Sequence, residues 1–422
     1  MHHVDREWNP RETAGLTRRD RSPGVYRALV PDELGLALPP LGREAAGAAE
    51  DALTVLARAD ERIGARGGYL NHLLIRSESI SSSWIEGNRV TPKKLAIAEV
   101  LQQGKKVALD VIANVRATET AIAGLADRER RITLADVEAL QHTIEPSLPF
   151  GVREEQNWVG GTGWSPLRAD LVPPPESEVR RLVEDLAAFV TATDGNPVVR
   201  AALAHAQFET IHPFIDGNGR TGRALIHTVL KRSDALRNVL VPISTVFAGD
   251  KDEYIAGLTA FRAGRVDDWV IGFARATEVA ASNAVALSEA VERLDSAVLE
   301  RLVAYRAEAG LSPARPRKDA VVLRILDRLA IDPVLTAETA ARNHGVSTVA
   351  AHGALAQLSA AGILSRNKDH KGRLFCWTAD EHLAHVALTE RSNRIGGGDT
   401  LNEVPRHGPA RPDTRVVGRL LR

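Results

Sequence analysis

The chain has few of the sulfur-containing residues that form disulfides or bind metal ions. Its 422 residues include one cysteine and one methionine, and aromatic residues make up 4% of the sequence. The single cysteine, Cys376, excludes an internal disulfide and any zinc site that needs several cysteines. No apolar run approaches the ~18 residues of a membrane span, and the N-terminal segment lacks an apolar signal core. We therefore expect a cytoplasmic protein without membrane contact.

The chain also lacks a net charge. Lysine and arginine together number 54, and aspartate and glutamate also number 54, while 44% of the residues are hydrophobic. This balance excludes binding to polyanions through overall charge, and it argues against a largely disordered chain. Zero net charge does not exclude a local basic patch.

Proline- and glycine-rich stretches divide the chain, whose length corresponds to about three domains of ~150 residues. Apolar residues recur at helical spacing in most of it, so the predicted fold class is mainly α. A long Gly- and Pro-rich loop at 151–175 interrupts this pattern and is expected to contain a short hairpin. The predicted segments are a loosely ordered arm at 1–30, a helical region at 31–115, a core at 116–290, a helix and linker at 291–316, a compact unit at 317–380 and a tail at 381–422.

The most informative stretch is HPFIDGNGRTGR, which runs from His212 to Arg223. Its glycines, at 217, 219 and 222, have the spacing of a dinucleotide-binding fingerprint. That fingerprint lies between a strand and a helix. Here the alanine-rich sequence before the stretch and the sequence after it are both helical in pattern, so a dinucleotide-binding turn is excluded.

The residue types in this stretch predict phosphoryl or nucleotidyl transfer. A glycine-rich turn at a helix N-terminus binds anions, and Arg220 and Arg223 fall on the first turn of that helix, where they can hold phosphate oxygens. The carboxylate of Asp216 beside them suits Mg²⁺ bound to phosphates. His212, just before the turn, can accept a proton at neutral pH.

The same twelve residues resemble the Fic family, whose signature His-x-Phe-x-Asp-Gly-Asn-Gly-Arg-x-x-Arg is complete here. Members of this family mostly transfer AMP from ATP to a hydroxyl side chain of a target protein. The resemblance implies a Fic-type helical bundle with a short β-hairpin flap, ATP as the substrate and Mg²⁺ as the cofactor.

The resemblance also implies a role for each matching residue. His212 would be the general base, Asp216 would hold Mg²⁺, Arg220 would contact the phosphates, and Arg223 would contact the γ-phosphate. The anion hole would consist of Gly217, Asn218 and Gly219, with Asn218 counted among the catalytic residues.

Two further positions, Thr210 and Tyr254, stand where members of the family contact the nucleotide. Tyr254 could equally be a packed aromatic residue. His205 and His227 are expected to be structural. The loop at 151–175 resembles the family's flap, a hairpin that docks the target segment by backbone pairing, with an ordinary surface loop as the alternative.

A second short motif, Ser82-Ser83-Trp84-Ile85-Glu86-Gly87, lies within an expected inhibitory segment at about 76–88. Ser82 and Glu86 are four residues apart and share a helix face, and Gly87 suits the left-handed residue that ends a helix. The motif resembles the family's inhibitory motif, in which the glutamate pairs with the second arginine of the signature, here Arg223. The alternative is that Glu86 is a solvated acid at a helix end, which the run of serines around it favours.

The C-terminal unit has the pattern of a winged helix. We expect helices at 321–329, after Thr336 and from Ser347 to about Gly362, followed by two wing strands at 363–366 and 373–377. Residues 313–378 contain ten Lys/Arg and five Asp/Glu, a formal charge of +5. The basic residues of the predicted wing, which would contact phosphates, are Arg366, Lys368, Lys371 and Arg373. The predicted recognition helix has almost no side chain of the kinds that read bases. The partner of this unit could therefore be nucleic acid, another protein or a second copy of the chain.

These observations lead to one principal hypothesis and two alternatives. The principal one is transfer of AMP from ATP to a hydroxyl side chain of a target protein, or of the chain itself, restrained by Glu86. The first alternative is removal of AMP or use of another nucleotide. The second is a DNA-binding regulator whose core only senses nucleotide.

Overall fold

The protein is mainly helical, with two small sheets, which confirms the predicted fold class. The computed structural model describes residues 1–9, 22–65, 69–101, 124–161, 165–368 and 375–385, with a few isolated positions between 101 and 124. Of the predicted tail at 381–422, residues 386–422 therefore lie outside the described residues. In the part of the chain that is described, no helix combines the length and the apolar character needed to cross a membrane.

The N-terminal elements are β1 (His2–Trp8), β2 (Gly24–Val30), α1 (Arg43–Gly64), α2 (Tyr69–Ile85) and α3 (Pro92–Leu101). The central elements are α4 (Leu134–Ile144), a 3-10 turn at Pro166–Arg168, α5 (Glu176–Thr191), α6 (Pro197–Ile211), α7 (Asn218–Arg232), α8 (Ile243–Gly249), α9 (Lys251–Arg262) and α10 (Val266–Glu308). The C-terminal elements are α11 (Val321–Leu326), β3 (Val334–Leu335), α12 (Ala337–His344), α13 (Thr348–Ala360), β4 (Ser365–Lys368) and β5 (Phe375–Thr378).

Strands β1 and β2 form an antiparallel pair, with His2 opposite Val30 and Trp8 opposite Gly24. The expectation of a loosely ordered arm is therefore wrong for these two stretches. The prolines on which that expectation depended, Pro10 and Pro23, lie outside the paired residues, so neither interrupts the ladder. Residues 10–21 lie outside the described part of the chain.

Helices α6 and α7 lie side by side at the centre of the main hydrophobic core. The Asn196 side chain caps α6 by accepting hydrogen bonds from the Val198 and Val199 amides, at 2.8 and 3.3 Å. Such caps satisfy N–H groups that have no partner within the helix. Because both helices are buried along nearly their whole length, the loop between them is held by rigid elements on each side.

Helix α2 runs unbroken through the serine-rich stretch, although serine-rich composition disfavours a helix. Its serines Ser77, Ser79, Ser81, Ser82 and Ser83 are all buried. Serine has a low helix propensity, but tertiary packing routinely overrides propensity. Helix α2 lies against α8 and also contacts α7, where Ser82 accepts hydrogen bonds from Arg223. The packing therefore supports the end of α2 close to the loop between α6 and α7.

Helix α10 connects the main core to the C-terminal unit. Its 43 residues correspond to about 65 Å of helix at ~1.5 Å per residue. Trp269 and Phe273 near its start belong to the main core, whereas Leu294, Val298 and Leu302 pack with the C-terminal unit. The helix passes without interruption through residue 290, where the predicted core was expected to end.

The C-terminal unit contains α11, α12 and α13 and a three-stranded sheet in the order β3–β5–β4. The helices lie where the sequence predicted them, and the Thr336 and Ser347 side chains cap α12 and α13. The two-residue strand β3 was not predicted. Arg366 lies over the Phe375 ring, 4.2 Å from its centroid, while Lys371 and Arg373 lie outside the described residues. A winged-helix role for this unit stays a prediction.

Candidate functional site

The loop between α6 and α7 and the first turns of α7 contain most of the residues that the sequence predicts to form the site. Helix α6 ends where His212 adopts the left-handed conformation, with φ 46° and ψ 61°. Helix α7 begins directly after Gly217, which has φ 83°. Glycine adopts this conformation without a steric penalty, but a residue with a Cβ does so at a cost. The loop is therefore a sharp turn that joins the end of α6 to the start of α7 within six residues.

The imidazole of His212 is held through Nδ1. The side-chain amide nitrogens of Asn157 and Asn218 lie 3.0 and 3.2 Å from this atom. Burial lowers the pKa of His212 to about 4, and the positive charge of Arg153 adds to the effect. The ring is consequently neutral at pH 7.

The side chain of Asn218 fastens the loop rather than pointing into open space. Its Oδ1 accepts a hydrogen bond from the Phe214 N–H at 2.9 Å, and its Nδ2 donates to the Phe214 carbonyl at 2.8 Å. Phe214 is buried in the core. The side chain of Asn218 therefore fixes the shape of the turn. A role of Asn218 in an anion hole would use its backbone N–H instead.

Asp216 presents its carboxylate to solvent at the mouth of the turn, with 71% of the side chain exposed. Its backbone is fixed, because Gln141 of α4 donates a hydrogen bond to the Asp216 carbonyl at 3.0 Å. Among the described residues there is no cluster of three or more His, Cys, Asp or Glu that could hold a metal ion. A metal at this position would therefore rest on Asp216 together with oxygen atoms of a ligand.

Arg220 is buried and forms an ion pair that the sequence did not predict. Its Nη2 contacts the Glu145 carboxylate at the end of α4 and lies 3.8 Å from Asp216. The side chains of Arg220 and Glu145 are 3% and 10% exposed. Within the described structure, Nε and Nη1 of Arg220 are buried without a hydrogen-bond partner. Two guanidinium donors are thus left for an anionic ligand.

Arg223, also fully buried, is held by the end of α2. Its Nε donates to the Ser82 hydroxyl and its Nη2 donates to the Ser82 carbonyl and to Glu86 Oε1, each at 2.8 Å. Burial opposes ionisation of both partners, but the attraction between the two charges prevails. It raises the pKa of Arg223 and lowers that of Glu86.

Glu86 also lies against the loop itself. A Cβ added at Gly219 would collide with its Oε1, so the carboxylate covers the first turn of α7. Gly87, with φ 87°, turns the chain away from the end of α2. The side chain of Glu86 remains 40% exposed, so a ligand that enters from solvent can reach it.

Thr210 and Tyr254 lie behind the loop, within the core. The Thr210 hydroxyl donates to the Ala206 carbonyl at 2.7 Å. Tyr254 stacks on Phe247 with ring centroids 4.5 Å apart, and its hydroxyl lies 2.8 Å from Nε2 of the buried His205. The structure therefore places Tyr254 in a packed aromatic cluster, which was the alternative interpretation of this residue.

Sequence reasoning missed four residues that shape the site. Glu145 and Gln141 come from α4, and Glu209 is a buried acid near Arg223 whose pKa burial raises to about 7. Arg153 donates from Nε to the His212 carbonyl at 3.0 Å. Glu209 stands one helical turn before His212, where it could have been noticed from the sequence. No local spacing relates Glu145, Gln141 and Arg153 to the twelve-residue stretch, so only their spatial proximity identifies them.

The stretch predicted as a flap, 151–175, contains one antiparallel bridge between Val159 and Leu171 and the short 3-10 turn. Residues 162–164 lie outside the described part, so the predicted hairpin reduces to this bridge among the described residues. Asn157, in the same stretch, reaches the His212 ring. The stretch therefore contacts the site directly.

Comparison with known proteins finds similarity over the part of the chain that contains the site. Residues 131–230 match the Fic/DOC family. The chain is 29% identical over 237 residues to "Protein adenylyltransferase Fic" of Drosophila mojavensis, covering 53% of this chain and 43% of that protein. The corresponding protein of Drosophila willistoni is 30% identical over 237 residues, with the same coverage. The chain thus spans less than half the length of these relatives.

Solved structures show similarity at lower identity. A Fic family protein from Desulfovibrio desulfuricans G20 is 20% identical with a TM-score of 0.48, covering 81% of this chain and 97% of that chain. Fic-1 from C. elegans is 19% identical with a TM-score of 0.45, covering 59% of this chain and 73% of that chain.

Proposed function

We propose that this chain, a Fic/DOC family protein distantly homologous to Fic protein adenylyltransferases, transfers AMP from ATP to a hydroxyl side chain of a target protein. One observation carries the proposal. A neutral histidine, a helix N-terminus preceded by a left-handed glycine and two buried arginines converge on a single turn.

The N-terminus of α7 would bind the phosphates. The first N–H groups of a helix have no acceptor within it, and these groups and the helix dipole attract negative charge. The two Arg220 donors without a partner, Nε and Nη1, are buried where an anion entering the turn would satisfy them. Arg223 would hold the terminal phosphate once its present partners release it.

Asp216 would hold a Mg²⁺ ion on the phosphates. Its exposed carboxylate is the kind of hard oxygen ligand that Mg²⁺ prefers, and Mg²⁺ commonly binds through one or two carboxylates plus substrate phosphates. When bound, the ion would neutralise charge that develops on the leaving pyrophosphate. Gln141 fixes the Asp216 backbone and so limits the movement of this ligand.

His212 would accept the proton of the target hydroxyl. The hydroxyl oxygen forms a bond to the α-phosphorus, the bond from that phosphorus to the bridging oxygen of pyrophosphate breaks, and the hydroxyl proton moves to the imidazole. A positioned general base contributes roughly 10²–10⁴-fold in rate. The lowered pKa of His212 keeps the ring neutral at pH 7, the charge state that a general base requires.

Glu86 would restrain this reaction. Its carboxylate and Ser82 occupy three donor contacts of Arg223 that a terminal phosphate would otherwise use. The same carboxylate lies over Gly219, where the phosphates would enter. ATP that binds beside an intact Glu86–Arg223 pair would therefore lack the alignment that transfer requires.

The test is incubation of the Glu86→Gly variant with α-labelled ATP, Mg²⁺ and a cell lysate. We expect labelled protein bands that the parent yields weakly and that the double variant with His212→Ala does not yield. Glu129→Gly, in an exposed turn remote from Arg223, is the matched control and should behave as the parent. Supplying the four α-labelled nucleoside triphosphates separately establishes the nucleotide. Absence of label in Glu86→Gly, or label that persists after His212→Ala, would contradict the proposal.

A further inference from the structure

We propose that Asn157 is a positioning residue for His212, whose amide holds the turn that carries the histidine and governs which ring nitrogen bears the proton. The catalytic consequence of this role rests on the proposed function. Its effect on the ring is measurable without any turnover.

Residues 153–157, here called the clamp, hold three consecutive carbonyl groups of the turn. The Arg153 amide donates to the Pro213 carbonyl at 2.8 Å and its Nε donates to the His212 carbonyl at 3.0 Å. Asn157 Nδ2 lies 3.3 Å from the His212 carbonyl and 3.0 Å from the Phe214 carbonyl. The turn is thus fastened from one side by a single short segment.

The clamp is itself anchored. Arg153 Nη2 donates to the Pro174 carbonyl at 2.6 Å, and Gln156 Nε2 donates to the Pro173 carbonyl at 3.0 Å. Such anchoring matters because His212 is left-handed. A residue with a Cβ adopts that conformation at a cost and keeps it only where surrounding contacts enforce it.

The amides of Asn157 and Asn218 determine the protonation of the ring. The orientation of the Asn218 amide is fixed, because Phe214 supplies both a donor for its Oδ1 and an acceptor for its Nδ2. The Asn157 amide faces two carbonyl groups with its nitrogen. Since an amide nitrogen only donates, Nδ1 of His212 must be the acceptor, and the neutral ring carries its proton on Nε2.

This arrangement opposes the form of the ring that accepts a proton at Nε2. That form carries a proton on Nδ1, where both neighbouring groups are donors. Asn157 stands two residues before Val159, the residue of this stretch that forms the bridge with Leu171. A target segment that displaces this stretch would withdraw the Asn157 amide and thereby remove one of the two donors at Nδ1, leaving Asn218 as the other. Docking of the target and readiness of the base would then be connected through one side chain.

The charged groups around the ring come from three elements. They are Arg153 of the clamp, Glu86 at the end of α2 and Arg262 of α9. Because none of them changes in an Asn157 variant, the response of the ring to such a variant reports on the amide itself.

The test measures the His212 ring by ¹⁵N NMR across pH, with its signals assigned by their loss in His212→Ala. In the parent we expect the Nε2–H form and titration well below pH 6.5. Asn157→Ala removes one donor and should raise the pKa of His212. Asn157→Asp should raise it further and move the ring proton toward Nδ1, because a carboxylate accepts from that atom. Glu154→Gln, exposed on the same segment, is the control and should leave the ring unchanged.

The kinetic arm uses the Glu86→Gly background. Asn157→Ala should lower kcat about tenfold or more with the KM for ATP nearly unchanged. The turn and the ring lose their orientation, while Asn218 still faces Nδ1 with its amide nitrogen, so the variant does not supply the ring form that accepts a proton at Nε2. In Asn157→Asp the acid limb of the rate profile should move to higher pH. Lower activity in both variants with an unchanged His212 titration would assign Asn157 a purely structural role and overturn the proposal. If Glu86→Gly transfers no AMP but the ring responds as described, the proposed function fails and the role of Asn157 toward His212 stands.

Discussion

Arg223 in the first turns of α7 donates a hydrogen bond of 2.8 Å to Glu86, 137 residues earlier in the chain. The same guanidinium donates to both the hydroxyl and the carbonyl of Ser82. Arg223 is thus held at the end of α2 by two side chains and one backbone group, and the two side chains can be tested separately.

Ser82→Ala should release Arg223 in part. The variant removes the acceptor of Nε but keeps the Ser82 carbonyl and Glu86, and a hydrogen bond to a charged group is worth about 1.5–3 kcal/mol. We expect a rate of labelled AMP incorporation roughly tenfold above the parent and below Glu86→Gly. Ser81→Ala is the matched control on the same helix, since the Ser81 hydroxyl has no hydrogen-bond partner in the described structure. Equal rates for Ser82→Ala and Ser81→Ala would show that the hydroxyl does not restrain Arg223.

Glu145→Ala should destabilise the protein. The variant leaves the buried charge of Arg220 without its partner, and breaking such a pair typically costs about 3–5 kcal/mol. Urea unfolding monitored by circular dichroism measures the loss. Glu184→Ala, at an exposed position of α5, should cost little by comparison. ATP with Mg²⁺ should restore part of the loss in Glu145→Ala if phosphates supply the missing negative charge. A midpoint equal to that of Glu184→Ala would refute the structural role of the pair.

The pH dependence of transfer follows from His212. Its pKa is lowered to about 4, so the unprotonated ring persists well below the ordinary value of ~6.5. In the Glu86→Gly background we expect the rate to stay constant as the pH falls through 6.5 and to decline only as it approaches the lowered pKa. Initial rates from pH 4.5 to 8 measure this profile. A decline centred near pH 6.5 would mean that the ring titrates as an exposed histidine does.

Glu209→Gln should make stability less sensitive to alkaline pH. Burial raises the pKa of Glu209 to about 7, so the folded state favours the protonated carboxyl. The stability that this shift contributes is fully present below the unfolded pKa of ~4.3 and is lost as the pH rises through 7, at ~1.4 kcal/mol per pKa unit.

Glutamine keeps the shape of the protonated acid and cannot ionise. We therefore expect a higher Tm for Glu209→Gln than for the parent at pH 8 and a smaller difference at pH 5, with Glu184→Gln as the control at both values. A difference that does not depend on pH would indicate that Glu209 does not titrate in this range.

The local sequence was sufficient to predict the loop on which the site lies. The pattern from His212 to Arg223 predicted a turn between two helices, and the structure has that turn at 212–217. Thr336 and Ser347 likewise predicted the starts of α12 and α13, because a capping side chain acts on amides only two or three residues away. Where local signals were weak, the prediction was less accurate. Residues 2–8 and 24–30 form two paired strands, and β3 is only two residues long.

The sequence by itself determined which groups lie on the turn, since neighbours along a tight loop stay neighbours in any fold. Only the tertiary structure decided what those groups touch. Asn157 reaches the His212 ring across 55 positions and Glu145 meets Arg220 across 75, because packing brings α4 and the clamp against the turn. Such contacts depend on how whole helices stack in one core, and no spacing within a single segment encodes that arrangement.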